Sequence, residues 1–127
     1  MELATAVDFA REHRQSVLVT LRDDGRPQLS NVMHAVGDDG VVRVSITADR
    51  AKYVNLSKRP WAAMHVTRPD FFAYAVLEGD VTLAPVAAAP DDATVDELVD
   101  LYRAMVQDRR TVVRLTPTRA YGMLPDT

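Results

Sequence analysis

Two turn signals, "DDGR" (23–26) and "GDDG" (37–40), constrain this fold more than any other feature of the chain. They are flanked by the apolar and β-branched runs "SVLVTLR" (16–22), "PQLSNVMHAV" (27–36) and "VVRVSI" (41–46), which predicts three consecutive antiparallel strands in a meander. Neighbouring parallel strands need a long crossover, and connections this short leave no room for one. Three further strands are expected at "WAAMHVT" (61–67), "FFAYAVLEGDVTLAPV" (71–86) and "TVVRLTPTRAYGML" (111–124), with a turn at Arg68, Pro69 and Asp70 and a bulge or bend at Gly79.

Helical spacing is confined to three stretches. Leu3, Ala6, Val7 and Ala10 predict a short opening helix. A second begins after Thr47, capped by Thr47 or Asp49, with Val54 and Leu56 available to bury and Pro60 past its end. A third is expected after Pro90, where Val95, Leu98, Val99, Tyr102, Met105 and Val106 recur at intervals of three and four. The reading is therefore mainly β: one domain over 1–127, a six-stranded antiparallel barrel with about three short helices.

Composition removes several classes of function. With no cysteine there are no disulfides, thiolate metal sites or thiol nucleophiles. No window reaches 18 apolar residues, and the opening helix carries Asp8, Arg11, Glu12 and Arg14, so no membrane segment is expected and a cytoplasmic location fits. A net charge of −3 and the lack of a strand interleaving basic and aromatic residues argue against nucleic-acid binding. There is no Gly-x-Ser-x-Gly, His-Glu-x-x-His or Gly-rich phosphate loop.

What remains is "SITADRAKYVNLSKRP" (45–60), where Arg50, Lys52, Lys58 and Arg59 gather in an acidic chain. A strand running into a helix start exposes backbone N–H groups to an anion, and Thr47, Arg50 and Lys52 add a hydroxyl, a planar fork and a point charge. Lys52 and Asn55, three apart, share a helix face. From the residues alone the cluster fits either an anion site or the solvated side of a surface helix. His34, in "SNVMHAV", has the chemistry to give a proton to a substrate, and it fits equally as a packed strand residue. His65 alternates with apolar neighbours and reads as structural.

The segments "TLRDDGRPQLSNV", "VSITADRAKYVNLSKRPWAAMHV" and "VLEGDVTL" resemble the split-barrel family of pyridoxamine 5′-phosphate oxidase-like flavin and deazaflavin proteins. The resemblance spans most of the chain and implies the flavin-binding split-barrel fold. It implies that Gly25 to Pro27 feed a strand whose residues Asn31, Val32 and Met33 line a flavin-like ring. It further implies that the run from Ile46 and Thr47 through Arg50, Lys52 and Asn55 holds the phosphate. The "TADRAK" run and the short C-terminal stretch look like the small members that use coenzyme F420, with flavin mononucleotide (FMN) as the alternative cofactor. Such proteins are homodimers with cofactor clefts between protomers, where Phe71, Phe72 and Tyr74 are placed to serve as contacts, and they pass hydride to an unsaturated small-molecule substrate. A non-catalytic deazaflavin carrier, or a haem-binding split barrel with His34 or His65 as axial ligand, is the other reading of the same fold. Asn31 and His34 depart from the family pattern, which often has proline and an aromatic residue there.

Overall fold

The computed structural model describes residues 1–47, 51–85 and 110–125. Arg50 and the helix expected after Pro90 lie outside them. The described elements run α1 (Leu3–Glu12), β1 (Gln15–Leu21), β2 (Pro27–Val36), β3 (Val42–Thr47), α2 (Ala51–Lys58), β4 (Trp61–Thr67), β5 (Tyr74–Pro85) and β6 (Arg110–Met123). All neighbours are antiparallel, and the six strands close into a barrel in the order β1-β2-β3-β6-β5-β4. The expected barrel and its strands are present, within a few residues at their ends.

The hairpin turns form for a backbone reason: Gly25 and Gly40 adopt φ of 84° and 79°, a region where a Cβ is strained. Alternation then fills the barrel. Leu18, Val32, Val44, Ile46, Met64, Val66, Leu77, Val113 and Leu115 point inward as one buried cluster. At Gly79, where the β5–β6 register shifts, an added Cβ would run into the Thr116 carbonyl, so the close strand approach at this bulge depends on glycine.

The helices close different ends. Ala6 and Ala10 of α1 are fully buried in the core cluster, and the helix packs on β2, β5 and β6. On α2, Leu56 is buried, but Val54 is 45% exposed and does not join the core as expected. Phe71 and Phe72 also differ from expectation: they sit in the β4–β5 turn rather than in β5, with Phe71 at φ 72°. Asp70 shapes that turn, accepting from Arg68 at 2.8 Å and from the Phe72 backbone N–H at 3.0 Å.

Candidate functional site

The β2–β3 seam opens along its length. Its ladder covers three pairs, His34↔Val44, Ala35↔Arg43 and Val36↔Val42. Continuing that register would set Met33 opposite Ser45 and Asn31 opposite Thr47. Instead β2 stays with β1 from Pro27 to Met33, while β3 stays with β6 as far as Thr47↔Arg110. The strands diverge and the barrel is split between them.

Strand alternation fixes what faces the split. The His34 N–H donates to the Arg14 carbonyl at 2.9 Å, so even-numbered residues of β2 turn their backbone polar groups toward β1. Asn31 and Met33 therefore turn theirs toward the side that β3 has left. By the same alternation their side chains lie on the outer face of the sheet. There a groove of about 500 Å³ is lined by Gln15, Val17, Asn31, Met33, His65 and Thr67, with Ser16 and Val32 along its strand floor. His65 stacks on Tyr74, ring centroids 5.3 Å apart.

On the opposite lip, Thr47 ends β3 with its side chain half-buried, and Ile46 points into the core. The Thr47 hydroxyl accepts from Arg110 Nη1 at 2.9 Å. The same guanidinium donates through Nε to Ser45 Oγ at 2.9 Å and through Nη2 to the Ser45 carbonyl at 2.6 Å. Lys52 follows, half-buried in the first turn of α2. The fold thus gathers Asn31, Val32 and Met33 on one lip of the split and Ile46 and Thr47 on the other, with Lys52 in the helix that follows.

Two expected site residues are turned elsewhere. Asn55 is buried, and its Nδ2 donates to Thr20 Oγ1 at 3.0 Å. Thr20 passes the chain on to Gln28 Oε1 at 3.2 Å, and Gln28 Nε2 donates to Ser30 Oγ at 3.0 Å. This inner polar line ties α2 to β1 and β2, and it takes up one of the two Asn55 amide hydrogens.

His34 is the second correction, both as proton donor and as haem ligand. It is 0% exposed on the inner side of β2, the side opposite Asn31 and Met33. Its Nε2 lies 2.8 Å from the Ala10 carbonyl, which only accepts, so Nε2 carries the hydrogen. The neutral ring then accepts at Nδ1 from the Ser16 hydroxyl, also at 2.8 Å. Burial holds its pKa below the usual value, opposed in part by the bond to Ala10. Both nitrogens are committed to joining β1, β2 and α1.

The basic cluster divides likewise. Lys58 and Arg59 do not face a ligand: they hold Asp23 in the first hairpin turn at 3.2 and 2.9 Å, and Arg59 Nε donates to the Leu21 carbonyl at 2.9 Å. Hydrogen bonds from Lys58 and then Arg59 lower the Asp23 pKa. Arg110 is the residue that sequence reasoning missed. It lies 63 positions from Thr47, in no motif, and only the β3–β6 register joins them.

An antiparallel barrel that parts at one seam defines the class of split β-barrels. Residues 3–124 match the sequence profile of the pyridoxamine 5′-phosphate oxidase family, and the chain belongs to that family. Among solved structures, an F420 reductase is 27% identical, aligned over 90% of this chain and 94% of its own, with a TM-score of 0.73. A pyridoxamine 5′-phosphate oxidase-related, FMN-binding protein from Nostoc punctiforme is 14% identical over 94% of this chain and 78% of its own, with a TM-score of 0.66. HutZ, described as the haem storage protein of Vibrio cholerae, is 15% identical over 95% and 94%, with a TM-score of 0.72. The latter two show the shared fold.

Proposed function

We propose that this chain is a coenzyme F420-dependent oxidoreductase acting on an unsaturated small molecule, with FMN as the alternative cofactor. The observation that carries the reading is the split seam, which sets the Asn31–Met33 stretch of β2 opposite the lip that carries Thr47 and leads to Lys52. The donor set fits such a ligand: Thr47 offers a hydroxyl and Lys52 an ammonium to the phosphate, and the Asn31 and Met33 backbone meets the polar edge of a ring. Support for F420 over FMN comes from the F420 reductase being the more similar in sequence. A bound deazaflavin or flavin supplies hydride-transfer chemistry, so no side chain of the split need be an acid or base. The chain's own task is to hold the ring, orient the substrate and exclude water.

Water exclusion calls for a second copy of the chain. The strand registers put Leu29, Tyr121 and Met123, exposed by 60%, 50% and 61%, on the same outer sheet face as the groove. An apolar face of this kind is suited to a homodimer whose partner covers the groove. Among the described residues no helix is long and apolar enough to cross a membrane, and no group of histidines and carboxylates is placed to hold a metal.

Titrating wild type and Lys52→Ala with F420 and separately with FMN, by ligand fluorescence, tests the reading. Lys52→Ala is expected to lose about 1.5–3 kcal/mol of binding, roughly a 10- to 150-fold weakening, with its melting temperature nearly unchanged. Equal affinity in the two proteins removes Lys52 from the site, and binding of neither ligand removes the cofactor reading.

A further inference from the structure

We propose that Arg110, which holds the Ser45 carbonyl on the open side of the β2–β3 seam, is the positioning residue that aims the Thr47 hydroxyl hydrogen at a phosphate ester. The proposal rests on the cofactor reading for its ligand and on the geometry of β3 for its mechanism.

Consider first the seam. By the alternation along β3, the Ser45 backbone faces β2, and a closed ladder would give its carbonyl to Met33. Arg110 Nη2 takes that carbonyl at 2.6 Å. A charged donor makes a stronger bond than a strand amide, so the Ser45 carbonyl is satisfied without β2. The ladder ends one pair earlier, at His34↔Val44. Arg110 thus supplies from β6 the donor that a strand neighbour would have given the Ser45 carbonyl.

Now consider the hydroxyls. A guanidinium has five N–H donors and no acceptor. Ser45 Oγ and Thr47 Oγ1 must therefore accept from Nε and Nη1, and neither can turn its hydrogen toward Arg110. Each hydroxyl hydrogen has to point away. For Ser45, 5% exposed, that direction lies within the protein, but Thr47 is half-buried at the mouth of the split. Its hydrogen is left to donate outward, beside a buried positive charge. Such a group recognises an acceptor-only anion, and a phosphate mono- or diester is the acceptor a flavin-like nucleotide carries.

The test compares ligands that differ by the phosphate: FMN against riboflavin, and F420 against its phosphate-free deazaflavin. Thr47→Val should weaken the phosphorylated ligand about tenfold and leave the phosphate-free one unchanged, while Thr47→Ser should restore wild-type affinity. Arg110→Lys, which keeps the charge but not the fork, should show the same phosphate-specific loss. A merely structural Arg110 would instead weaken both ligands of a pair alike, and that result overturns the proposal. So does Thr47→Val binding FMN and F420 like wild type, even if Lys52→Ala has lost them, in which case the cofactor reading survives. If Arg110→Lys does not fold, the Thr47 pair of variants decides. If wild type binds neither flavin nor deazaflavin, titration with inorganic phosphate followed by amide NMR decides: shifts at Ser45 and Thr47 that vanish in Thr47→Val support the anion site, and their absence overturns it.

Discussion

One pair of strands is built in two ways within a few residues. At its closed end, from His34 to Val36, β2 is laddered to β3, and α1 is pinned over it by the Ser16–His34–Ala10 line. At its open end, from Asn31 to Met33, β2 has left β3, and the β3 lip is held by Arg110. At the closed end both His34 ring nitrogens are bonded inside the protein, whereas at the open end Thr47 and Lys52 are half-buried. The comparison separates residues whose loss should cost folding from those whose loss should cost binding, and each can be tested by asking for the wrong effect.

The largest effect on folding is expected from His34→Ala. It removes a fully buried ring and leaves the Ala10 carbonyl and Ser16 hydroxyl without their partner, which together should cost about 2–4 kcal/mol in urea unfolding. Affinity for F420 or FMN should stay within about twofold once the protein is folded, a shift worth about 0.4 kcal/mol. A variant that keeps its stability but loses turnover would return His34 to the chemistry.

Asn55→Ala sharpens the boundary, because Asn55 is on the helix that carries Lys52 yet bonds inward. Loss of its bond to Thr20, which begins the line through Gln28 to Ser30, should cost about 1–2 kcal/mol of stability. Cofactor affinity should fall less than in Lys52→Ala. The reverse pattern would place Asn55 in the phosphate site after all.

Much of this architecture was legible from the chain. "PQLSNVMHAV" and "WAAMHVT" form strands with the expected bounds, because turn glycines and period-two alternation act locally. The inward turn of His34 was not legible: its side of the strand carries Gln28 and Ser30 beside Val32 and Val36, whereas the outer side carries Leu29, Met33 and Ala35. What else could not be read were facts of register. The seam's divergence depends on how far β3 follows β6, and Arg110 meets Ser45 and Thr47 only across that ladder. Lys58 and Arg59 stood in the basic cluster of 45–60, and composition does not show that Asp23, 35 and 36 positions away, had claimed them.

Acid should distinguish the two ends by pH. The folded-state pKa of His34 is lowered by burial, so between that value and the ordinary 6.5 the unfolded chain binds the extra proton. Stability is therefore full above about 6.5 and falls as pH drops through this window. Unfolding midpoints measured from pH 8 to pH 5 should decline in wild type and flatten in His34→Gln. A slope of equal size in the variant would assign the effect to other groups.

The smallest effect belongs to the turn that finishes the closed end. Asp39 accepts from Arg43 Nη1 at 3.1 Å and Nη2 at 3.0 Å, and from the Val41 N–H at 3.0 Å. The Arg43 hydrogen bond and then the Val41 N–H bring its pKa down to about 2. A carboxylate with a lowered folded pKa stabilises the protein above its unfolded pKa of 3.8, and that contribution disappears as pH falls toward about 2. The Asp39 side chain is 53% exposed, so solvent screens the pair and leaves about 1 kcal/mol or less of what the shift alone would imply. Asp39→Asn, which can still accept from Val41, should thus lose a fraction of a kcal/mol at pH 6 and match wild type near pH 2. Its affinity for cofactor should not change, because the fork locks the hairpin at the end of the seam where β2 and β3 remain joined. A change in binding without a change in stability would mean that the two ends of the seam are coupled, and that the fork at Asp39 helps set how far the strands diverge.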